Sequence, residues 1–200
     1  MDDDELLVIR CKLGEREACA ELVRAWHPVV ERYVARMLGR GDDDAVQEVW
    51  IGVFTGLPRL RDTGRFRAWL YTIARRAVVN RLRGVYREAR VELLGSSGGS
   101  GGPGGSGGSG WSGGSGGSGG SGERPIDPVA DLVLDREAVA AGLADLPPLE
   151  REVIVLFHLE DLALETCAQV CGVPVGTVKS RLNRARGLLR AALERKGYPA

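Results

Sequence analysis

The chain has 200 residues, with 27 Lys and Arg against 27 Asp and Glu and 6% aromatic residues. That is enough for one domain or two small ones and argues against a single large core. Of its 29 glycines, 17 fall between Gly95 and Gly122, where only Gly, Ser, Pro103 and Trp111 occur. With so little apolar surface to set against chain entropy, 95–122 is expected to be a flexible Gly/Ser linker spanning about 30 Å root-mean-square. Two small segments, 1–94 and 123–200, are left to fold.

No uninterrupted apolar run approaches the roughly 20 residues of a membrane span, and Met-Asp-Asp-Asp-Glu at the start is opposite in charge to a signal peptide. Membrane insertion is therefore not expected, and the chain reads as cytoplasmic. Cys11 and Cys19 lie in one segment and Cys167 and Cys171 in the other, all in helical apolar patterns, which favours reduced, buried thiols. The balanced charge hides segregation. Arg59 to Arg90 holds ten arginines against Asp62 and Glu88, and Lys179 to Lys196 holds seven basic residues against Glu194. The acids cluster at 2–5, 42–44 and along 127–165. Two basic helices are the electrostatic footprint of a polyanion ligand, with a merely solvated face as the alternative reading.

In chain order, Leu6, Leu7 and Ile9 fit a short amphipathic helix stopped at Gly14. A longer helix over 16–38 carries Ala20, Leu22, Val23, Trp26, Val30, Tyr33, Val34 and Met37 at helical spacing and ends at Gly39 and Gly41. Pro28 is expected to kink or break it after His27, because proline removes a backbone donor and crowds the preceding turn. Asp42 to Asp44 supply the negative charge a helix N-terminus favours, ahead of Val46, Val49, Trp50, Val53 and Leu57, with Pro58 as the stop. On the outer face Asp44, Gln47 and Glu48 stand at i, i+3 and i+4, an acidic and polar patch readable as capping plus solvation.

After a basic loop over 59–65, the run from Phe66 to Gly84 is a basic helix with aromatics at its start. Phe66, Leu70, Ile73, Ala77 and the stem of Arg81 follow one stripe, while Arg67, Arg75, Arg76, Asn80 and Arg83 leave it on other faces. Aromatics beside arginines suit single-stranded nucleic acid, since bases stack on rings while guanidiniums hold phosphates. Phe66, Trp69 and Tyr71 are also readable as core.

The second segment shows helical patterns over 129–146 and 149–159, separated by Pro147-Pro148. Next, a short helix ends at Cys171, Gly172 suits a left-handed turn, and Pro174 suits the first turn of a following helix, which together make a helix-turn-helix. In the second of these helices Val178, Leu182, Ala185 and Leu189 form the buried stripe, leaving Thr177, Lys179, Ser180, Arg181 and Arg184 polar-side. That chemistry matches a major-groove reader: phosphate contacts from Lys and Arg, base-edge bonds from Arg, Ser and Thr, and methyl contact from Val175. Cys167 and Cys171 with nearby His158 are three metal-ligand types without a fourth, on a stripe that must be buried, so no metal is expected. No Gly-rich phosphate loop ending in Gly-Lys-Ser/Thr and no His-Glu-x-x-His helix occurs, and neither catalytic residues nor a cofactor are expected.

Three stretches together resemble an extracytoplasmic-function (group 4) sigma factor of bacterial RNA polymerase. Asp44-Ala-Val-Gln-Glu-Val-Trp50 resembles the family's core-polymerase-binding helix. Phe66-Arg-Ala-Trp-Leu-Tyr-Thr-Ile-Ala-Arg75 resembles its minus-ten-reading and melting part. Gly172-Val-Pro-Val-Gly-Thr-Val-Lys-Ser-Arg-Leu182 resembles its minus-thirty-five-reading helix-turn-helix, with Leu146-Pro-Pro-Leu-Glu-Arg-Glu-Val-Ile154 similar to the entry before it. The resemblance implies an all-α chain of two small helical domains joined by the Gly/Ser linker: a region 2-like bundle over 1–94 and a region 4-like helix-turn-helix over 123–200. It implies polymerase contact through Asp44, Gln47, Glu48 and Trp50, and contact with melted single-stranded minus-ten DNA through Arg65, Phe66, Trp69, Arg75, Arg76, Asn80 and Arg83. Double-stranded minus-thirty-five DNA would be read by Val175, Thr177, Lys179, Ser180, Arg181 and Arg184. The implied partners are bacterial core RNA polymerase, promoter DNA and an anti-sigma factor. Strand separation would be driven by binding energy without enzymatic catalysis. The competing readings are a stand-alone helix-turn-helix regulator and a sensor built on Cys167 and Cys171.

Overall fold

Eight α-helices carry most of the chain in the computed structural model, which describes residues 3–95 and 136–198, with side chains over 4–84 and 138–198. The expected linker lies outside the described residues except for Gly95, as do 129–135 of the helical pattern expected over 129–146. There is no strand among the described residues. In the first segment α1 (Asp3–Lys12) packs on α2 (Arg16–Leu38), and α3 (Asp43–Gly56) and α4 (Phe66–Gly95) close the bundle. The second segment comprises α5 (Arg136–Ala144), α6 (Pro148–Ile154), a π-helical turn (Val155–Leu159), α7 (Leu164–Cys171) and α8 (Val175–Arg195).

Helix α2 runs uninterrupted through Pro28, contrary to the break expected there. Ala18, Leu22 and Trp26 on one side of the proline, and Val30, Tyr33, Val34 and Met37 on the other, bury one continuous stripe. That packing outweighs the roughly 3 kcal/mol a mid-helix proline costs. Ala20, expected inside, is exposed; the stripe starts from Ala18. In α1 the buried positions are Val8 and Cys11, while Leu6 is exposed. Helix α3 begins at Asp42, whose Oδ1 accepts from the Ala45 amide at 3.0 Å, a side-chain N-cap. Two glycines let α3 lie against α4. A Cβ on Gly52 would sit 2.8 Å from Cγ2 of Ile73, and one on Gly56 would sit 2.8 Å from Cζ2 of Trp69.

The buried side chains of the two segments merge into one continuous apolar cluster rather than two separate small cores. Helix α7 packs on α4, and α2 receives α5, α6 and the π turn.

Candidate nucleic-acid interface

On α3, Asp44, Gln47 and Glu48 are exposed, as the sequence spacing requires. Trp50, which the resemblance implied as a further polymerase contact, follows its place in the apolar pattern instead. It is 8% exposed and points inward, with Nε1 donating to Nδ1 of His27 at 3.1 Å and its ring stacked on that imidazole. Two residues missed in the sequence continue the outer face instead: Ile51, 61% exposed, and Phe54, 40% exposed. The signal that finds them is spacing, since i+4 and i+7 from Gln47 land on Ile51 and Phe54.

Helix α4 has three faces. Phe66, Leu70, Ala74, Ala77 and Val78 are buried in the bundle. Phe66 corrects the expectation that it lines a DNA strand: at 2% exposed, with its ring edge-on to Trp26 at 5.6 Å, it anchors the start of the helix. A second face carries half-buried Trp69 and Thr72 with exposed Arg76, Asn80 and Arg83, at steps of three and four. Arg65, exposed on the 3-10 turn Thr63–Arg65, extends that row by one more helical step. Asn80 Nδ2 donates to Oε1 of Glu48 at 3.2 Å, so this row joins the polar patch of α3.

The third face separates Arg75 from the rest of the expected minus-ten set. Arg67, Tyr71 and Arg75, four residues apart, meet the second segment. Arg75 Nε lies 2.6 Å from Oε1 of Glu152, and the Tyr71 hydroxyl donates to Oε2 of Glu160 at 2.6 Å. Arg67 donates to the Glu160 carbonyl, and Arg36 of α2 lies 2.5 Å from Oε1 of the same residue. Burial, and then the hydrogen bond to Glu160, push the Tyr71 phenol well above its ordinary pKa, so it serves as a donor throughout the physiological range. Beside this contact a cleft of about 480 Å³ is bordered by Gly64, Arg65 and Arg67 from one segment and Asp161, Glu165 and Gln169 from the other.

In the second segment α7 ends at Gly172 in the left-handed conformation, φ +67°, with the Val173 amide returning to the Ala168 carbonyl at 3.1 Å. Pro174 stands at the N-cap of α8, one residue ahead of the first turn expected for it. Lys179, Ser180 and Arg184 are exposed, while Val175 and Thr177 are half-buried. Arg181 is turned inward: it is half-buried, and its Nη1 is buried without a hydrogen-bond partner among the described residues. Asn183, not singled out from the sequence, is exposed between Ser180 and Arg184. The thiols of Cys167 and Cys171 are buried, and burial pushes them up to about 11 and about 12, against thiolate chemistry. Among the described residues no group of three or more His, Cys, Asp and Glu is placed to hold a metal ion, and no helix is long and apolar enough to cross a membrane.

These features define a helical protein with a promoter-type helix-turn-helix and a separate basic helix bearing aromatics. Residues 22–88 match the family described as Sigma-70 region 2, and residues 136–189 match Sigma-70 region 4. The ECF RNA polymerase sigma factor ShbA of Streptomyces griseus is 32% identical, over 97% of this chain and all of its own. The structure of CnrH, a sigma factor of Cupriavidus metallidurans, in complex with the cytosolic domain of CnrY is 28% identical over 96% of this chain and 98% of that one, with a TM-score of 0.61. The Bartonella quintana sigma factor RpoE, solved with the anti-sigma factor NepR, shares the fold at 22% identity over 88% of this chain and 96% of its own, with a TM-score of 0.59. The chain belongs to the extracytoplasmic-function sigma factors of the sigma-70 family, which direct RNA polymerase to promoters. A stand-alone helix-turn-helix regulator is not favoured, because α2 to α4 match region 2.

Proposed function

We propose that the outer face of α3 docks on core RNA polymerase through Asp44, Gln47 and Glu48, with Ile51 and Phe54 adding apolar contact beside the polar patch. Trp50 supports that face from behind through His27. The row of Arg65, Trp69, Arg76, Asn80 and Arg83 lies along the melted minus-ten strand. Lys179, Ser180, Asn183 and Arg184 enter the major groove at the minus-thirty-five element. Melting draws on the binding energy of flipped and stacked bases, so the chain acts without an active site. Its place of action is the cytoplasm. The two solved relatives were each captured with a protein partner, and we extend this to an anti-sigma protein covering α3 and α4 here.

The observation that carries this reading is the continuity of the two exposed surfaces. Glu48 meets Asn80, and Asp44 meets Arg81, so a polymerase held on α3 delivers the strand directly to α4. The test is co-elution of the chain with bacterial core RNA polymerase on a sizing column. Wild type is expected to bind stoichiometrically, and Glu48→Arg and Ile51→Arg to lose binding with their helix content intact. Equal binding by all three would remove α3 from the interface.

A further inference from the structure

The acids at 2–5 have no part in the contacts with polymerase and DNA proposed above, yet two of them, with Lys12, fasten α1 to the loop that opens the proposed minus-ten row. Lys12 Nζ donates to the Leu60 carbonyl at 2.5 Å, and Glu5 Oε1 accepts from the Thr63 hydroxyl at 3.0 Å. Glu5, Val8 and Lys12 share one face of α1 at steps of three and four, with Val8 fully buried between the two grips. Asp4 Oδ1 accepts from Trp26 Nε1 at 3.0 Å, and the Trp26 ring meets that of Phe66, the first residue of α4, at 5.6 Å. Helix α1 thus borders both 3-10 turns of the loop, Leu57–Arg59 and Thr63–Arg65, and the helix start that follows them.

The two grips set the shape of the loop. They lie seven residues apart on α1, about 10 Å along its axis, and three apart on the loop, whose fully extended reach is also about 10 Å. The chain from Leu60 to Thr63 therefore runs alongside α1 in the opposite direction, with Leu60 and Asp62 in extended backbone. Alternation along that stretch buries Leu60 and leaves Arg61 exposed. Beyond Thr63, Arg65 is exposed as well. Its amide donates to the Asp62 carbonyl at 3.2 Å, and its Nε lies 2.9 Å from Oδ2 of Asp62. Burial holds neither Arg61 nor Arg65 in place. Their direction depends on the backbone that carries them, and Glu5 and Lys12 hold that backbone.

We propose that Glu5 and Lys12 are positioning residues for promoter opening: from α1 they fix the 60–63 backbone, so that Arg61 and Arg65 are presented to the unstacked minus-ten strand. The proposal deepens the reading that the Arg65 row meets that strand, and rests on it. A loop left free loses backbone entropy when it closes on a base, whereas a pinned loop has already lost it on folding. The difference appears only when the strand binds, so it acts on opening rather than on docking to polymerase. It acts on selectivity too, because a guanidinium discriminates between bases only while its direction is fixed. Glu5, an anion, is unsuited to meet phosphates itself and acts through Thr63.

The test uses the full chain in two measurements. Hydrogen exchange on the free chain follows the Arg65 amide, whose bond to Asp62 depends on the shape of the loop. Holoenzyme assembled from core polymerase and each variant then selects open complexes from promoters randomised across the minus-ten element. Glu5→Ala and Lys12→Met are expected to speed exchange at Arg65 about tenfold and to weaken discrimination at one minus-ten position by a similar factor, the effect of losing one charge-assisted hydrogen bond. Glu5→Gln keeps the acceptor and Lys12→Arg keeps a donor, and both are expected to retain the wild-type preference. Co-elution with core polymerase is expected to stay unchanged in all four. A uniform fall in opening across all sequences overturns positioning and leaves α1 a structural helix, as does wild-type discrimination in both Glu5→Ala and Lys12→Met. Should either of these lose helix content, Thr63→Val, which removes the bond from the loop side, decides the matter: weaker discrimination sustains the proposal and unchanged discrimination overturns it. A wild-type holoenzyme without base preference in the minus-ten element would sink the strand reading, while faster Arg65 exchange in the variants would still establish that α1 holds the loop.

Discussion

The Arg81 guanidinium, on the helix that carries the proposed minus-ten row, places Nε 2.7 Å from Oδ2 of Asp42 and Nη2 2.9 Å from Oδ2 of Asp44. One side chain of α4 thus grips both the cap and the first turn of the helix that presents Asp44, Gln47 and Glu48. The hydrogen bond from Arg81, reinforced by the Ala45 amide, holds the Asp42 carboxyl below its ordinary range. An acid depressed in the folded state contributes stability in full above its unfolded pKa of about 3.9, and loses it as pH falls through the lower folded value. Asp42→Ala is expected to cost about 0.5–2 kcal/mol at neutral pH as a lost N-cap. Urea unfolding followed from pH 7 to pH 2 should show a shallower acid loss in that variant than in wild type.

At the α3–α4 contact a side chain at Gly52 or Gly56 forces its neighbour to shift. Gly56→Ala places a methyl against the indole of Trp69, a wide, stiff group with little room to swing, and Gly52→Ala meets Ile73. Alanine regains about 1 kcal/mol of helix propensity, but overpacking costs about 1–3 kcal/mol, so a net loss is expected for Gly56→Ala. Equilibrium urea denaturation measures it. Because Trp69 belongs to the proposed minus-ten row, the same variant is expected to weaken promoter melting, whereas Gly84→Ala, with open space at its Cβ position, is expected to gain up to about 1 kcal/mol of helix stability and to leave melting unchanged.

Much of this was legible in the chain because helical periodicity, glycine stops and the helix-turn-helix spacing are local signals. The buried stripe of α2 from Leu22 to Met37, the turn at Gly172 and the outer patch of α3 follow from residues within one or two turns of each other. What escaped is tertiary. Pro28 was overridden by a buried stripe on both sides of it. Trp50 and Phe66 stand on stripes that the periodicity marks as apolar, but the groups they meet, the His27 imidazole and the Trp26 ring edge, lie far away in sequence. Arg181 left the polar face of α8, and Asn183 took a place beside Arg184. No spacing rule announces that Glu160, at the end of a π turn, faces Arg36 across 124 positions.

The π turn brings a pH response of its own. Partial burial, and next the charge of Arg186, hold His158 below the ordinary imidazole range, although the residue is exposed overall. Its Nε2 accepts from Nε of Arg186 at 3.3 Å, which only the neutral ring can do. The unfolded chain takes up a proton near pH 6.5 while the folded chain resists until its lower value. Stability is therefore full above about 6.5 and falls as pH drops through that window, levelling below the folded pKa. Thermal melts between pH 8 and pH 5 should show this loss in wild type and much less of it in His158→Gln. Parallel curves would assign the acid response to other groups.

On α8 the proposed DNA face is expected to separate positioning from reading. Lys179 carries a mobile point charge with no base-edge acceptor, so Lys179→Ala is expected to weaken binding to all promoter sequences alike and to reduce the salt-dependence slope by about 0.9. Arg184 and Asn183 carry the planar forks that match guanine and adenine edges, and replacing either with Ala is expected to cost about 1–3 kcal/mol at particular bases. Arg184, itself exposed, is held loosely by buried Glu150 at 3.5 Å, a contact that a guanine edge can displace. Arg181, with one buried nitrogen, should behave differently from both, affecting the stability of the helix-turn-helix more than its base preference. Holoenzyme binding to a promoter library, run at two salt concentrations, distinguishes the three outcomes. An unchanged base preference for Asn183→Ala and Arg184→Ala would move the reading function elsewhere on the chain.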